Sequence, residues 1–283
     1  MAVDLGDLAA DLHAETAALD ALLLPLDAAG WAAPTPAPGW SVHDQISHLA
    51  YFDDATRLAV SDDEWFATER EHALLDVDAY TNEIAAWFRD LPDAELFAWF
   101  HRARDEMIAM FLAMEPSQRV PWFGPAMSAP AALTARIMET WAHGQDVADA
   151  LGATRVPTRA LRQVAHICVR ALPNSFRTQR LPVPEAPVRV VLTGPDGDEW
   201  VWGDDPNSAD SVTGSAEEFC LVATQRRHVA DTALAITGAV AEQWMTIAQA
   251  FAGPAGAGRR PGQFGSGQFG SGQFGPGQFG TGS

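Results

Sequence analysis

Leucines recur at positions 5, 8, 12, 19, 22 and 23. That spacing gathers one apolar stripe on a helix and predicts helix over 3–29. GWAAPTPAPGW (30–40) breaks the period with proline and glycine and holds Trp31 and Trp40, so a loop is expected. Ser41 followed by Asp44 is an N-cap signature. The helix it opens runs through HDQISHLAYFDDATRLAV to about Val60, with Ile46, Leu49 and Phe52 on the buried side. Further helices are predicted at about 77–90, from Pro92 and Asp93 to about Met114, and at about 130–151, where Gly152 supplies a stop. The segment between the last two, EPSQRVPWFGPAMSAP, reads as an aromatic, proline-rich loop.

After Pro157 one more helix is expected at about 158–172, and then the period changes from helical to alternating. PVRVVLTG and EWVWG flank a Pro-Asp-Gly turn, the pattern of a hairpin. SAEEFCLVATQRRHV reads as helix, DTALAITG as a short strand and AVAEQWMTIAQAFAG as a closing helix. The fold class is therefore α+β: an antiparallel four-helix bundle over 1–157, then a small α+β domain over 158–254. Residues 255–283 differ again. A Gly-Gln-Phe unit repeats every five residues and places Phe264, Phe269, Phe274 and Phe279 in a Gly/Gln/Ser background. Such a segment buries too little surface to offset its ordering entropy, so a disordered tail is expected, with weak aromatic self-association as its sharper reading.

Composition narrows the chemistry. Net charge is −19, and all 18 basic residues are arginine. Without lysine, Schiff-base catalysis on a side-chain amine is excluded, and so acidic a chain lacks the basic face that nucleic acid requires. No run of apolar residues is long enough for a membrane span. The acidic amphipathic start is unlike a signal peptide, so a cytoplasmic protein is expected. Cys168 and Cys220 sit in apolar helical settings and read as buried free thiols.

Candidate chemistry centres on METWAHGQDVADALG (138–152). Glu139 and His143 lie one turn apart on one helical face. Alone, that spacing is weak evidence. His48, near the edge of the buried side of its own helix, strengthens it. Two imidazoles and a carboxylate suit zinc with an open position, and equally iron(II). Asp146, three residues beyond His143, is placed to accept the ring's second N–H, or else is a solvated acid. Asp44 reads as a cap. His43 is expected at the surface, as is His101 beside Arg102 and Arg104. His13, His72, His166 and His228 lack partners at ligand spacing. VPWFGPAMS is a candidate pocket lip.

GWSVHDQISHLAYFDDATRLA and ARIMETWAHGQDVADALG resemble the DinB-like helical bundle of the mycothiol-dependent maleylpyruvate isomerase family, and the likeness extends over about 5–252. The resemblance implies metal ligands His48, Glu139 and His143. It implies a divalent cation, zinc first, with iron or nickel as alternatives. It also implies a catalytic arginine from the second domain, Arg226 or Arg227, set to clamp the carboxylate of a small substrate. In such enzymes the metal makes a thiolate of a low-molecular-weight thiol, mycothiol. The thiolate adds to an activated double bond, allows rotation and leaves; with another electrophile the same site transfers sulfur. The partners implied are a small-molecule substrate and that thiol, with neither nucleic acid nor membrane; a homodimer is compatible. Two alternatives stay open: a thiol-independent metalloenzyme for hydrolysis, dehydration or cyclisation, and a non-catalytic metal-binding module.

Overall fold

A computed structural model describes residues 4–264. The helical stripes form where their caps stand. Helix α1 (Leu5–Leu23) starts at Asp4, whose carboxylate accepts from Gly6 N–H. After the short α2 (Ala28–Trp31), α3 (Val42–Ser61) opens on a complete capping box between Ser41 and Asp44. Next come α4 (Asp63–Leu75) and α5 (Val77–Trp87), capped by Asp62 and Asp76. Helix α4 was not predicted: within it only Phe66 and Ala73 are buried, so no apolar stripe marks it. Helix α6 (Asp93–Leu112) follows Pro92. The expected loop at 115–130 contains a two-residue pairing of β1 (Arg119–Val120) with β2 (Met127–Ser128). Helix α7 (Ala129–Leu151) is capped by Ser128 and ends on Gly152 in the left-handed region, φ 61°.

Helices α1, α3, α6 and α7 make the bundle, with α3 against α6 and α7, and α1 against α7. Leu19, Leu23, Ile46, Leu49, Phe100 and Val147 fill one end of it. At the other end the core does not stop at the bundle. Leu12, Phe111, Ile137 and Trp141 belong to one apolar cluster with Val164, Val190, Phe219 and Trp244. The expected units 1–157 and 158–254 are thus joined by continuous packing.

The second half begins with α8 (Leu161–Arg170) and α9 (Leu172–Thr178), where one helix was expected. The predicted hairpin is β3 (Arg189–Thr193) with β4 (Glu199–Trp202). An unpredicted strand, β5 (Ser211–Ser215), runs parallel to β3; then come α10 (Ala216–Ala223), β6 (Ala235–Thr237) antiparallel to β5, and α11 (Ala239–Ile247). The sheet order is β4-β3-β5-β6. Gly238 joins β6 to α11 at φ 92°, and a Cβ there would lie 2.3 Å from Asp210 Oδ1. That oxygen accepts from Val240 N–H and Ala241 N–H, so the helix start needs both the glycine and the acid. Cys168 and Cys220 are buried free thiols, as expected.

Residues 255–264, assigned by composition to the tail, make defined contacts with the body. Gly256 N–H donates to Gln249, Arg259 pairs with Asp146, and Gly262 N–H donates to Asp231. The rest of the repeat, with Phe269, Phe274 and Phe279, lies outside the described residues. Among the described residues no helix is long and apolar enough to cross a membrane.

Candidate metal centre

Helix α7 carries a polar stripe at Arg136, Glu139, His143 and Asp146, spaced three, four and three residues apart. Such spacing holds one helical face. Helix α3 answers it in antiparallel order. Asp53 meets Arg136, His48 meets Glu139 and Gln45 meets His143. The answer to the acid–imidazole pair on α7 is thus a second imidazole from α3.

Glu139 Oε2 lies 3.2 Å from His143 Nε2 and 3.9 Å from His48 Nε2. The imidazole centroids are 4.4 Å apart, and one donor atom from each of the three residues falls within 4.8 Å of the others. His48 is 8% exposed. Burial, then the neighbouring His143, push its pKa down to about 4. For Glu139, burial pushes the other way, but pairing with the protonated forms of His143 and His48 outweighs it and holds the carboxyl well below the usual range. At neutral pH His48 is therefore a free base and Glu139 an anion, the forms that bind a cation. The cluster can hold a metal ion. It is not sealed, because the Glu139 side chain keeps 23% of its surface exposed.

A relay fixes the orientation of His143. The Thr35 hydroxyl has one proton and gives it to Trp40 C=O at 2.9 Å. Thr35 Oγ1 must then accept from Gln45, so the Gln45 amide turns its NH₂ toward Thr35, at 2.9 Å. Its carbonyl oxygen faces His143 Nδ1, at 2.5 Å, and a carbonyl only accepts. The proton of His143 sits on Nδ1, and Nε2 offers its lone pair toward Glu139 and His48. A metal-ligating histidine commonly has such a partner behind it.

Aromatic rings wall the cluster. Trp40 stacks on His143 at 6.0 Å and tilts over His48 at 5.2 Å. Phe52 lies 4.6 Å from His48. Trp122 and Phe123, from the loop expected to form a lip, lie 6.1 Å and 5.7 Å from Phe52. A cavity of about 550 Å³ opens beside Trp40, lined by Trp31, Thr35, His43, Asp44 and Arg89 among others; none of His48, Glu139 and His143 lines it. One rung along α3, Asp53 bridges Arg104 Nε at 2.6 Å and Arg136 Nε at 2.9 Å, all three buried.

Residues 12–148 match the family model described as the mycothiol maleylpyruvate isomerase N-terminal domain. Two proteins of Mycobacterium tuberculosis strains, both described as uncharacterized, are 44% identical over 256 residues, covering 90% of this chain and 99% of theirs. The chain belongs to the mycothiol maleylpyruvate isomerase N-terminal domain family. Solved structures of the mycothiol-dependent maleylpyruvate isomerase and of a histidine-to-alanine mutant share its fold, with TM-score 0.53, 18% identity, and coverage of 80% of this chain and 90% of theirs. The segment matching the family model contains all three residues of the cluster and neither Arg226 nor Arg227.

Those two arginines are both engaged elsewhere. Arg226 Nη2 pairs with Asp146 at 2.7 Å, and its Nη1 donates to Thr224 C=O. Arg227 holds both oxygens of Asp149 at 2.7 Å. Asp146 does not support His143: it accepts from Arg226 and Arg259, and the ring's N–H goes to Gln45 instead. His43 is buried, against expectation, because the first turn of α3 abuts the chain before α6; its Nε2 lies 2.9 Å from Leu91 C=O. His101, expected at the surface, is half-buried against Phe97 and Phe100 and pairs with Asp20. Sequence reasoning missed Gln45, Asp53 and Arg136. The usable signal was their register, since positions 45, 48 and 53 of one helix face 143, 139 and 136 of another.

Proposed function

We propose that this chain is a metal-dependent enzyme of the mycothiol-dependent maleylpyruvate isomerase type, with His48, Glu139 and His143 as ligands and zinc as the metal. Its reaction is thiol-dependent isomerisation or sulfur transfer on a small electrophilic, unsaturated acid. One observation carries the reading: a neutral imidazole, an ionised carboxylate and an imidazole oriented by Gln45 converge on one point, in the fold shared with that isomerase. A bound divalent cation would supply Lewis acidity that lowers the pKa of a thiol or other ligand in its open position. The residues of the chain do the rest. Gln45 holds His143 in one tautomer, and Trp40 and Phe52 limit water and keep both rings in place. Glu139 is the most exposed of the three, so the open position faces its side.

Arg226 and Arg227, as we read them, act by holding the second half of the molecule against α7. Each guanidinium already has a carboxylate, and serving a substrate acid would require giving it up. The same observation favours a second reading, a metalloenzyme that needs no thiol. Turnover of maleylpyruvate by the zinc-loaded protein, with and without mycothiol, separates the two. Activity only with thiol supports the first. Activity without it supports the second. A loaded protein inert under both conditions, with no heat of thiol binding by calorimetry, would refute the first reading and leave the metal-binding module.

A further inference from the structure

The first Gly-Gln-Phe unit, residues 262–264, plays no part in the metal site, yet it has a built seat. Asp149 grips both terminal nitrogens of Arg227, and the Arg226 carbonyl takes a further bond at 2.8 Å, so the guanidinium plane is fixed. The Phe264 ring lies on that plane, its centroid 4.0 Å from the guanidinium carbon. Two residues earlier, Gly262 N–H donates to Asp231 Oδ1 at 2.7 Å. The other oxygen of Asp231 is buried with no partner among the described residues. A fixed cation face and a carboxylate thus read the two ends of Gly262-Gln263-Phe264.

The same three residues recur at 267–269, 272–274 and 277–279. Chemistry that recognises the first copy recognises the others. Each chain has one seat and four units, so three units per chain are surplus. We propose that the Arg227–Asp231 seat is a receptor for the Gly-Gln-Phe unit, and that surplus units of one chain occupy the seat of a second copy, linking chains tail to body.

The first unit competes from within its own chain. Arg259 pairs with Asp146 three residues before it, and the intervening chain is short. Such tethering gives an effective concentration on the order of millimolar. Chain–chain linking by the wild type is therefore weak and grows with protein concentration. Disabling the internal unit opens the seat.

The test uses the full chain and a fluorescent nine-residue peptide, GQFGSGQFG. The receptor is the variant with Phe264, Phe269, Phe274 and Phe279 all replaced by alanine, which keeps the seat and removes every internal competitor. The peptide is expected to bind this variant at least about tenfold more tightly than the wild type, by anisotropy. Replacing both phenylalanines of the peptide by alanine abolishes binding, and Asp231→Ala in the receptor weakens it at least about tenfold. Sedimentation velocity gives the second readout: wild type associates as concentration rises and the four-alanine variant does not. Equal peptide binding to wild type and variant, binding indifferent to the peptide's phenylalanines, or equal self-association of both proteins would each overturn the proposal. None of these outcomes depends on metal or thiol.

Discussion

Gln45→Met tests the relay behind His143 without touching any of the three proposed ligands. Methionine fills a similar volume and removes the carbonyl that receives His143 Nδ1–H. Gln45 is fully buried, so water does not replace it. The N–H then stays unpaired, at a cost of about 1–3 kcal/mol, or the proton moves to Nε2, the atom whose lone pair the proposed metal site uses. Either route penalises the loaded state. Loss of such a partner typically weakens metal binding about 10- to 100-fold, or about 1.4–2.8 kcal/mol. Thr35→Val loosens Gln45 one step further out and should cost less than about tenfold. The assay is zinc competition with a chromophoric chelator at pH 7. A second readout needs no metal: proton–nitrogen correlation spectra should show a proton on Nδ1 of His143 in the wild type. Zinc affinity in Gln45→Met within about twofold of wild type, well inside the expected loss, or a bare Nδ1 in the wild-type spectrum, would refute the relay.

Three further outcomes are expected of the same fold. Asp53→Asn removes the anion that bridges two buried guanidiniums and should lower unfolding free energy by about 3–5 kcal/mol in urea; a loss below about 1 kcal/mol, the size of a surface pair, would contradict the bridge described between Arg104 and Arg136. Gly238→Ala should cost about 1–3 kcal/mol from backbone strain alone, with more from the collision with Asp210, and an unchanged denaturation midpoint would count against it. The pH dependence has a definite sign. His48 titrates near 4 in the fold against an ordinary 6.5, so the unfolded chain takes up that proton first, and metal-free stability should fall by about 3 kcal/mol as pH drops from about 6.5 to about 4. Glu139, held low in the fold, adds to the loss at the acid end; His48→Gln should flatten the upper part of the curve, and a parallel curve for that variant would show the assignment to be mistaken.

The bundle helices were legible where an apolar stripe meets a local start or stop: Ser41 with Asp44, Pro92 with Asp93, Gly152. Helix α4 lacked the stripe, and β5 is built of Ser-Val-Thr-Gly-Ser, whose pairing with β3 depends on residues about twenty positions away. Ligand-type residues stood out because imidazole and carboxylate announce their chemistry. Gln45 did not. An amide has no metal chemistry, and its importance arises only when Thr35, from a proline-rich loop, and His143, 98 residues on, close around it. Asp146 failed for the opposite reason: its spacing from His143 was right, but Arg226 and Arg259 reach it from the second half of the chain. Helical spacing says which residues share a face; it cannot say which distant cation arrives there first.

Elemental analysis of the purified full chain, wild type beside His48→Ala, Glu139→Ala and His143→Ala, is the most direct measurement. About one divalent ion per wild-type chain, and its loss from all three variants while their helical circular dichroism persists, is the predicted result. Wild-type protein that takes up no metal after zinc loading, or alanine variants that retain it in full, would contradict the account at its root.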